Sequence, residues 1–235
     1  MDDTLIDYSG KFIADVGYYW DHAEERNKIA HDYLIANYVC ESRKHYPLEF
    51  RRFKKRGQCA ATGEVFKDHT KLFCELVDWT HEHKILVIFA FDSYLTNAGI
   101  LNHIHSKQDS TGYLRGYVGD LKFNCKLDFK GRSIKANELA VSIPPEARQE
   151  LRRGDERQWY FTCTLHIPNN NHKVRIVILW NQRRDAEPCK IFVTNRIQCA
   201  VRRTLGVIES DGQARKLFIG TGSMSRAWSI VNSVL

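Results

Sequence analysis

One segment constrains the fold of this chain more than any other. Ile85-Leu86-Val87-Ile88-Phe89-Ala90-Phe91 is a run of seven apolar residues, and Asp92 follows at once. A run of that length, rich in β-branched and aromatic types, predicts a strand buried on both faces, and hence a sheet covered by other elements on each side. An acid at the carboxyl end of such a strand stands where open α/β sheets place ligand chemistry. It also has a simpler role open to it, as the cap of the helix that follows.

The rest of the chain supports an α/β reading. Residues 1–40 read as strands, with a turn at Ser9-Gly10 and apolar stretches over 12–19 and 29–38. Residues 42–57 read as a basic loop. In 64–83, Val65, Phe66, Leu72, Phe73, Leu76, Val77 and Trp79 fall near a 3.6-residue period and predict a helix. A second helix is expected over 95–106. From 113 the character changes, with strand-like segments at 121–129, 157–167 and 172–180. They are separated by Gly131, Pro144-Pro145, Gly154 and Asn169-Asn170-Asn171. Residues 145–153 suggest a short helix, 191–193 a core strand and 196–206 the start of a helix. The plan is a core over 1–112, a β-rich insertion over 113–190, a return to the core over 191–207 and an atypical tail, rich in Ser and Gly, over 208–235.

Composition narrows the function. The chain of 235 residues carries 35 Lys+Arg against 28 Asp+Glu, a formal charge of +7 with pI near 9.0, which favours a polyanionic partner. Seven widely spaced cysteines without a C-x-x-C pair give neither a disulfide framework nor a zinc ribbon. No apolar stretch reaches the ~18–20 residues that span a bilayer. The acidic N-terminus does not resemble a signal peptide, so a reducing, cytoplasmic setting is expected.

Asp92 gains weight from a second acidic cluster, Asp2-Asp3-Thr4. Carboxylates on neighbouring strand ends can hold divalent cations, and two-metal phosphoryl transfer uses ions about 3.5–4 Å apart. Hard cations such as Mg²⁺ take oxygen ligands. Glu209 is the only glutamate after residue 207 and is followed by a Ser-Asp-Gly turn signal. Two basic regions interleave with aromatics. One holds Arg51, Arg52, Lys54, Lys55 and Arg56 with Phe50 and Phe53. The other holds Arg148, Arg152, Arg153 and Arg157 with Trp159. Either can track a phosphate backbone or be a solvated surface. Trp159 and Trp180 are each open as a stacking platform or as core. His81, His83, His103 and His105 are i, i+2 pairs whose members face different sides of a helix, which makes poor metal clamps.

Several motifs occur in the order of a known family. Met1-Asp2-Asp3-Thr4-Leu5-Ile6, Ser9-Gly10-Lys11, Tyr19-Trp20-Asp21-His22 and His31 resemble the opening of the catalytic domain of insertion-sequence DDE transposases. Phe91-Asp92-Ser93-Tyr94 resembles the family's second catalytic strand. Tyr117 to Asn124 and Phe192-Val193-Thr194-Asn195 resemble later strands. The resemblance spans about residues 2–206. It implies an α/β, RNase H-like mixed sheet with flanking helices and a β-rich insertion that grips transposon ends. It further implies Mg²⁺- or Mn²⁺-dependent cleavage and strand transfer on double-stranded DNA, with Asp2 or Asp3 as first ligand (Asp2 favoured) and Asp92 as second.

Two departures accompany it. The family's first strand begins upstream, after a DNA-binding region, so the chain is expected to be cut short at its start. The family's Tyr-x-x-Arg-Trp and following Glu are missing after Asn195, leaving Glu209 as a weak third acid. If codons are read one nucleotide earlier, Asp211-Gly212 can encode Trp and 215–220 can encode Glu-Thr-Phe-Tyr-Arg, so an out-of-frame tail is expected. The resulting expectation is a catalytically impaired transposase, pairing with itself or with an intact transposase. The alternative is a non-catalytic DNA-binding protein that inhibits the intact enzyme.

Overall fold

A computed structural model describes residues 3–7, 16–21, 25–40, 44–107, 115–153, 156–207 and 228–231. It is a mixed α/β structure containing a mixed sheet and several helices. The chain divides into two compact units, Met1–Ala90 with Glu209–Leu235, and Phe91–Ile208.

The first unit is organised around β3 (Arg26–Val39), the longest strand. β1 (Asp3–Asp7) pairs antiparallel with its residues 30–34, and β2 (Gly17–Asp21) with residues 26–30. β4 (His45–Phe53) pairs antiparallel with residues 32–39. Ala30 faces both Asp7 and Gly17, so β1 and β2 lie on opposite edges of β3. Residues 28, 30, 32, 34 and 36 of β3 are buried with a period of two, and His31 on the other face is buried as well. The register then shifts between Ala36 and Asn37. Such an irregularity inserts a residue and moves the buried phase to Asn37 and Val39.

Helix α1 (Arg56–Thr62) ends at Gly63, whose φ of 71° is the left-handed conformation that glycine accepts at a helix end. Helix α2 (His69–Glu82) begins at Asp68, whose carboxylate accepts from the Lys71 N–H at 2.8 Å. Its apolar stripe, Leu72, Phe73, Leu76 and Val77, is buried, and the helix packs on β3 and β4. β5 (Ile88–Phe91) is buried at all four positions. On one side Ile88, Phe89 and Ala90 pair antiparallel with β13 (Trp228–Val231), which pairs parallel with β3 through residues 36–39.

The second unit is an antiparallel run of β6 (Gly116–Asp120), β12 (Lys190–Thr194), β11 (Val174–Trp180), β10 (Glu156–Leu165) and β9 (Gln149–Arg153), in that spatial order. β7 (Lys126–Phe129) and β8 (Arg132–Lys135) form a hairpin. Lys130 and Gly131 form its turn, both with positive φ, as a two-residue primed turn requires. Helix α3 (Ala98–Ser106) packs on β6, and α4 (Ala136–Ser142) on β8. Residues 201–207 are helical.

Three local expectations need correction. The basic stretch expected as a loop is largely the strand β4. Its Arg51 lies under α2, 3.9 Å from the Glu75 carboxylate, so charge there marks a helix-covered surface. The helix expected over 64–83 begins at His69, where Asp68 caps it. Residues 145–153 are a single 3-10 turn, Pro145–Ala147, followed by β9, because pairing with β10 outweighs local helix preference.

Candidate functional site

Asp92 is the first residue after β5 and is held by its own turn. Its Oδ1 accepts from the Tyr94 N–H at 2.9 Å and the Leu95 N–H at 3.4 Å, while Thr96 Oγ1 donates to the Asp92 carbonyl at 2.9 Å. This is the side-chain-to-backbone bonding that Asp favours in turns. The cap of α3 is Asn97 instead, whose side chain accepts from the Ile100 N–H at 3.1 Å. Asp92 therefore fixes a turn and not the helix. Oδ2 takes no hydrogen bond among the described residues.

The turn is seated by Gly119 of β6. A Cβ there would lie 2.6 Å from Phe91 Cε2 and 2.7 Å from Thr96 Oγ1. Both neighbours are fixed, one in the core and one by its bond to Asp92. Gly119→Ala is thus expected to cost about 1–3 kcal/mol, an overpacking penalty, read as a lower urea midpoint at unchanged slope. Next to it, Asp120 is bound by the Lys190 ammonium at 2.7 Å. Lys122 lies over the Tyr94 ring at 5.9 Å.

Of the other acids of the expected metal set, one is described. Asp3 belongs to β1 in the first unit, at the register position of Leu34. Asp2 and Glu209 lie outside the described residues. Among the described residues no group of three or more His, Cys, Asp or Glu could hold a metal. Asp92 offers a hard oxygen donor of the kind Mg²⁺ takes, but the described donors alone do not make up a centre.

The basic residues separate into several environments. Arg148 is buried. Its guanidinium donates to the carbonyls of Ile143, Arg183 and Asp185 and lies 4.0 Å from the Trp180 ring. It clasps a loop to the core and leaves the surface patch. Arg152 is exposed, its Nε donating to Glu150 at 2.7 Å, and Arg157 is 3.7 Å from the same carboxylate. Arg153 is in β9. Trp180 is fully buried and is core, whereas the half-buried Trp159 on the neighbouring strand carries Arg183 at 5.1 Å. In the first unit Lys54 binds Glu64, Lys55 donates to the Tyr18 carbonyl, and Arg56 lies 4.4 Å from the Phe66 ring.

Two polar clusters were invisible in the sequence. In the first unit the buried Asp32 carboxylate lies 3.3 Å from His69 Nε2, and the His69 ring stacks on Phe53 at 4.0 Å. Among the described residues Asp32 Oδ1 has no hydrogen-bond partner. Burial, reinforced by Asp32, pushes the Tyr19 phenol up to about 12. In the second unit His105 and His172 stack at 3.6 Å. Tyr117 Oη lies 2.8 Å from His172 Nε2, and Asn171 Oδ1 is 2.9 Å from Nδ1. That pattern assigns the His172 proton to Nδ1, with Tyr117 donating to Nε2. Asn195 donates to the Arg115 carbonyl at 2.7 Å and faces His105 Nδ1 at 3.3 Å. Asn195 belongs to a motif noted in the sequence, but its partners come from 80 and 90 residues away, which no local pattern reveals.

A scan against protein-family models finds no match for this chain, and a search of the curated proteins finds none either. Among the described residues no helix is long and apolar enough to cross a membrane.

Proposed function

We propose that this chain is a DDE-type transposase, or a fragment of one, of RNase H-like design. Its substrate class is double-stranded DNA at transposon ends, and its cofactor is Mg²⁺ or Mn²⁺. The observation that carries the reading is the Asp92 turn: a carboxylate at the exit of a buried strand, aimed by two backbone N–H groups and seated by a glycine. A catalytic metal ligand needs that kind of fixed geometry. The ordered motifs around it supply the family. Asp92 would bind the ion with Asp2 or Asp3, and the ion would activate the attacking oxygen and stabilise the leaving one. With Glu209 the sole acid offered for the third position, cleavage is proposed to be impaired, because a two-metal site short of one carboxylate loses charge and geometry. An out-of-frame tail accounts for that loss, and the nucleotide sequence of the gene tests it. A stop codon in the alternative frame before the Glu-Thr-Phe codons removes the idea.

A second reading, a non-catalytic DNA-binding protein that inhibits an intact transposase, draws support from the exposed cations and the +7 charge. A supercoiled-plasmid assay separates the two. The impaired enzyme gives weak Mn²⁺- or Mg²⁺-dependent nicking that Asp92→Ala removes. The inhibitor gives salt-sensitive DNA binding, no nicking, and no response to Asp92→Ala. Robust turnover lost in Asp92→Ala overturns the claim of impairment.

A further inference from the structure

Within the second unit, Asp92 has a basic neighbour reached through Tyr94. The Tyr94 N–H donates to the Asp92 carboxylate at 2.9 Å, and the Lys122 ammonium lies 5.9 Å from the centre of the Tyr94 ring, within cation–π range. Both side chains stand at the surface, Tyr94 being 46% exposed and Lys122 exposed. The backbone that carries Lys122 is pinned on each side. Before it, the buried Leu121 donates its N–H to the Ile191 carbonyl at 2.8 Å. After it, the Lys122 carbonyl accepts from the Cys125 N–H at 2.9 Å, and the Phe123 carbonyl accepts from the Asn137 N–H of α4 at 2.9 Å. A side chain rooted in this way starts from a fixed point.

An acid and a base joined through one residue have the means to pair, and here they do not. Asp92 commits Oδ1 to its own turn, and Lys122 forms no ion pair among the described residues. The next acid along, Asp120, is already matched by Lys190. One carboxylate oxygen and one ammonium are therefore left open on either side of Tyr94. A lone metal cation would satisfy the carboxylate and repel the ammonium. A lone anion would do the reverse. A phosphate that carries a divalent cation satisfies both, with the cation on Oδ2 and a non-bridging phosphate oxygen on the ammonium.

We propose that Lys122 binds the DNA phosphate presented to the Asp92 carboxylate. The inference rests on the phosphodiester chemistry proposed for Asp92 and adds the residue that grips its substrate. A lysine ammonium is a compact charge with three donors on a flexible stem, so it can reach a phosphate oxygen without fixing the sequence around it.

The test uses the full chain and a fluorescein-labelled duplex of about 20 base pairs, followed by anisotropy over a monovalent salt series in EDTA, so that binding is read without cleavage. Each phosphate contact contributes about 0.9 to the slope of log K against log salt. Lys122→Gln is expected to lower that slope by about 0.9, while Lys122→Arg, which keeps the charge, leaves it at the wild-type value. Lys130→Gln is the control, because the Lys130 ammonium also lies beside a ring, 5.3 Å from that of Phe129, but on the β7–β8 hairpin. Its slope should match wild type. A wild-type slope in Lys122→Gln overturns the inference. So does an equal fall in Lys130→Gln, since the lysines would then act only as diffuse charge. Plasmid nicking by the Asp92 site is scored separately. A slope that depends on Lys122 without nicking defeats the catalytic proposal alone. Nicking that Asp92→Ala removes, with a wild-type slope in Lys122→Gln, defeats this one alone.

Discussion

Trp180→Ala is expected to unfold the second unit at mild denaturant, with a loss of about 3–5 kcal/mol in urea titration. Trp180 has no exposed surface, and its removal leaves the largest fully buried side chain of the described core as a void. It also removes the plane on which the Arg148 guanidinium rests at 4.0 Å. Arg148 satisfies three carbonyls from two segments, Ile143 in one and Arg183 and Asp185 in the other. Arg148→Ala strands those acceptors and should cost about 2–4 kcal/mol, since hydrogen bonds to charged groups are individually strong. The double variant should lose clearly less than the sum of the two, because each residue's packing depends on the other. Additive losses would show that the ring and the guanidinium act independently.

The second large effect is a fall in stability under mild acid. Burial, with help from His105 and His166, lowers the His172 pKa to about 4, and burial lowers that of His105 too. In the unfolded chain a histidine titrates near 6.5. Between pH 6.5 and about 4 the unfolded state therefore binds more protons than the folded one, so stability drops as pH falls through that window. Above pH 6.5 both states are neutral here and the contribution is fully present. The groups around His172 explain the sign. Tyr117 donates to Nε2, Asn171 accepts from Nδ1, and the His105 ring lies parallel at 3.6 Å, so an imidazolium would meet a donor and a second ring. The expected loss from pH 7 to pH 4.5 is on the order of 2 kcal/mol, measured by urea denaturation at each pH. His172→Gln should flatten this slope while lowering stability at pH 7. A wild-type slope in that variant would place the titration elsewhere.

How far the sequence anticipated this molecule depends on where its signals were local. The strand before Asp92 announced itself by an apolar run, though it is only Ile88–Phe91 of the seven residues expected and Leu86 ahead of it is exposed; the α2 stripe and the strand at 191–193 announced themselves by a 3.6 period and an apolar run. Each is an element whose environment is uniform along its length. β4 was hidden because α2 covers its Arg51 face through Glu75, while the other face is open and aromatic. Neither face then looks like a core strand. β9 was hidden because its pairing partner, β10, decides it. The Asp92 turn was legible as a position but not as a geometry, since backbone N–H groups hold the carboxylate. The Asp32–His69 and His105–His172 pairs join residues 37 and 67 positions apart along the chain, beyond any local window.

The pairing of β5 with β13 bears on how this protein is made. Ala90 meets Ser229, and Phe89 meets Ile230. The strand that delivers Asp92 thus acquires one of its neighbours only after about 140 further residues have been synthesised, and closing so long a loop is slow. At ribosomal speeds of about 5–20 residues per second, the edge awaiting β13 stays open for several seconds or more during translation. An open edge of that kind pairs readily with other nascent chains. Growth temperature and chaperone supply should accordingly decide how much of this protein emerges in folded form.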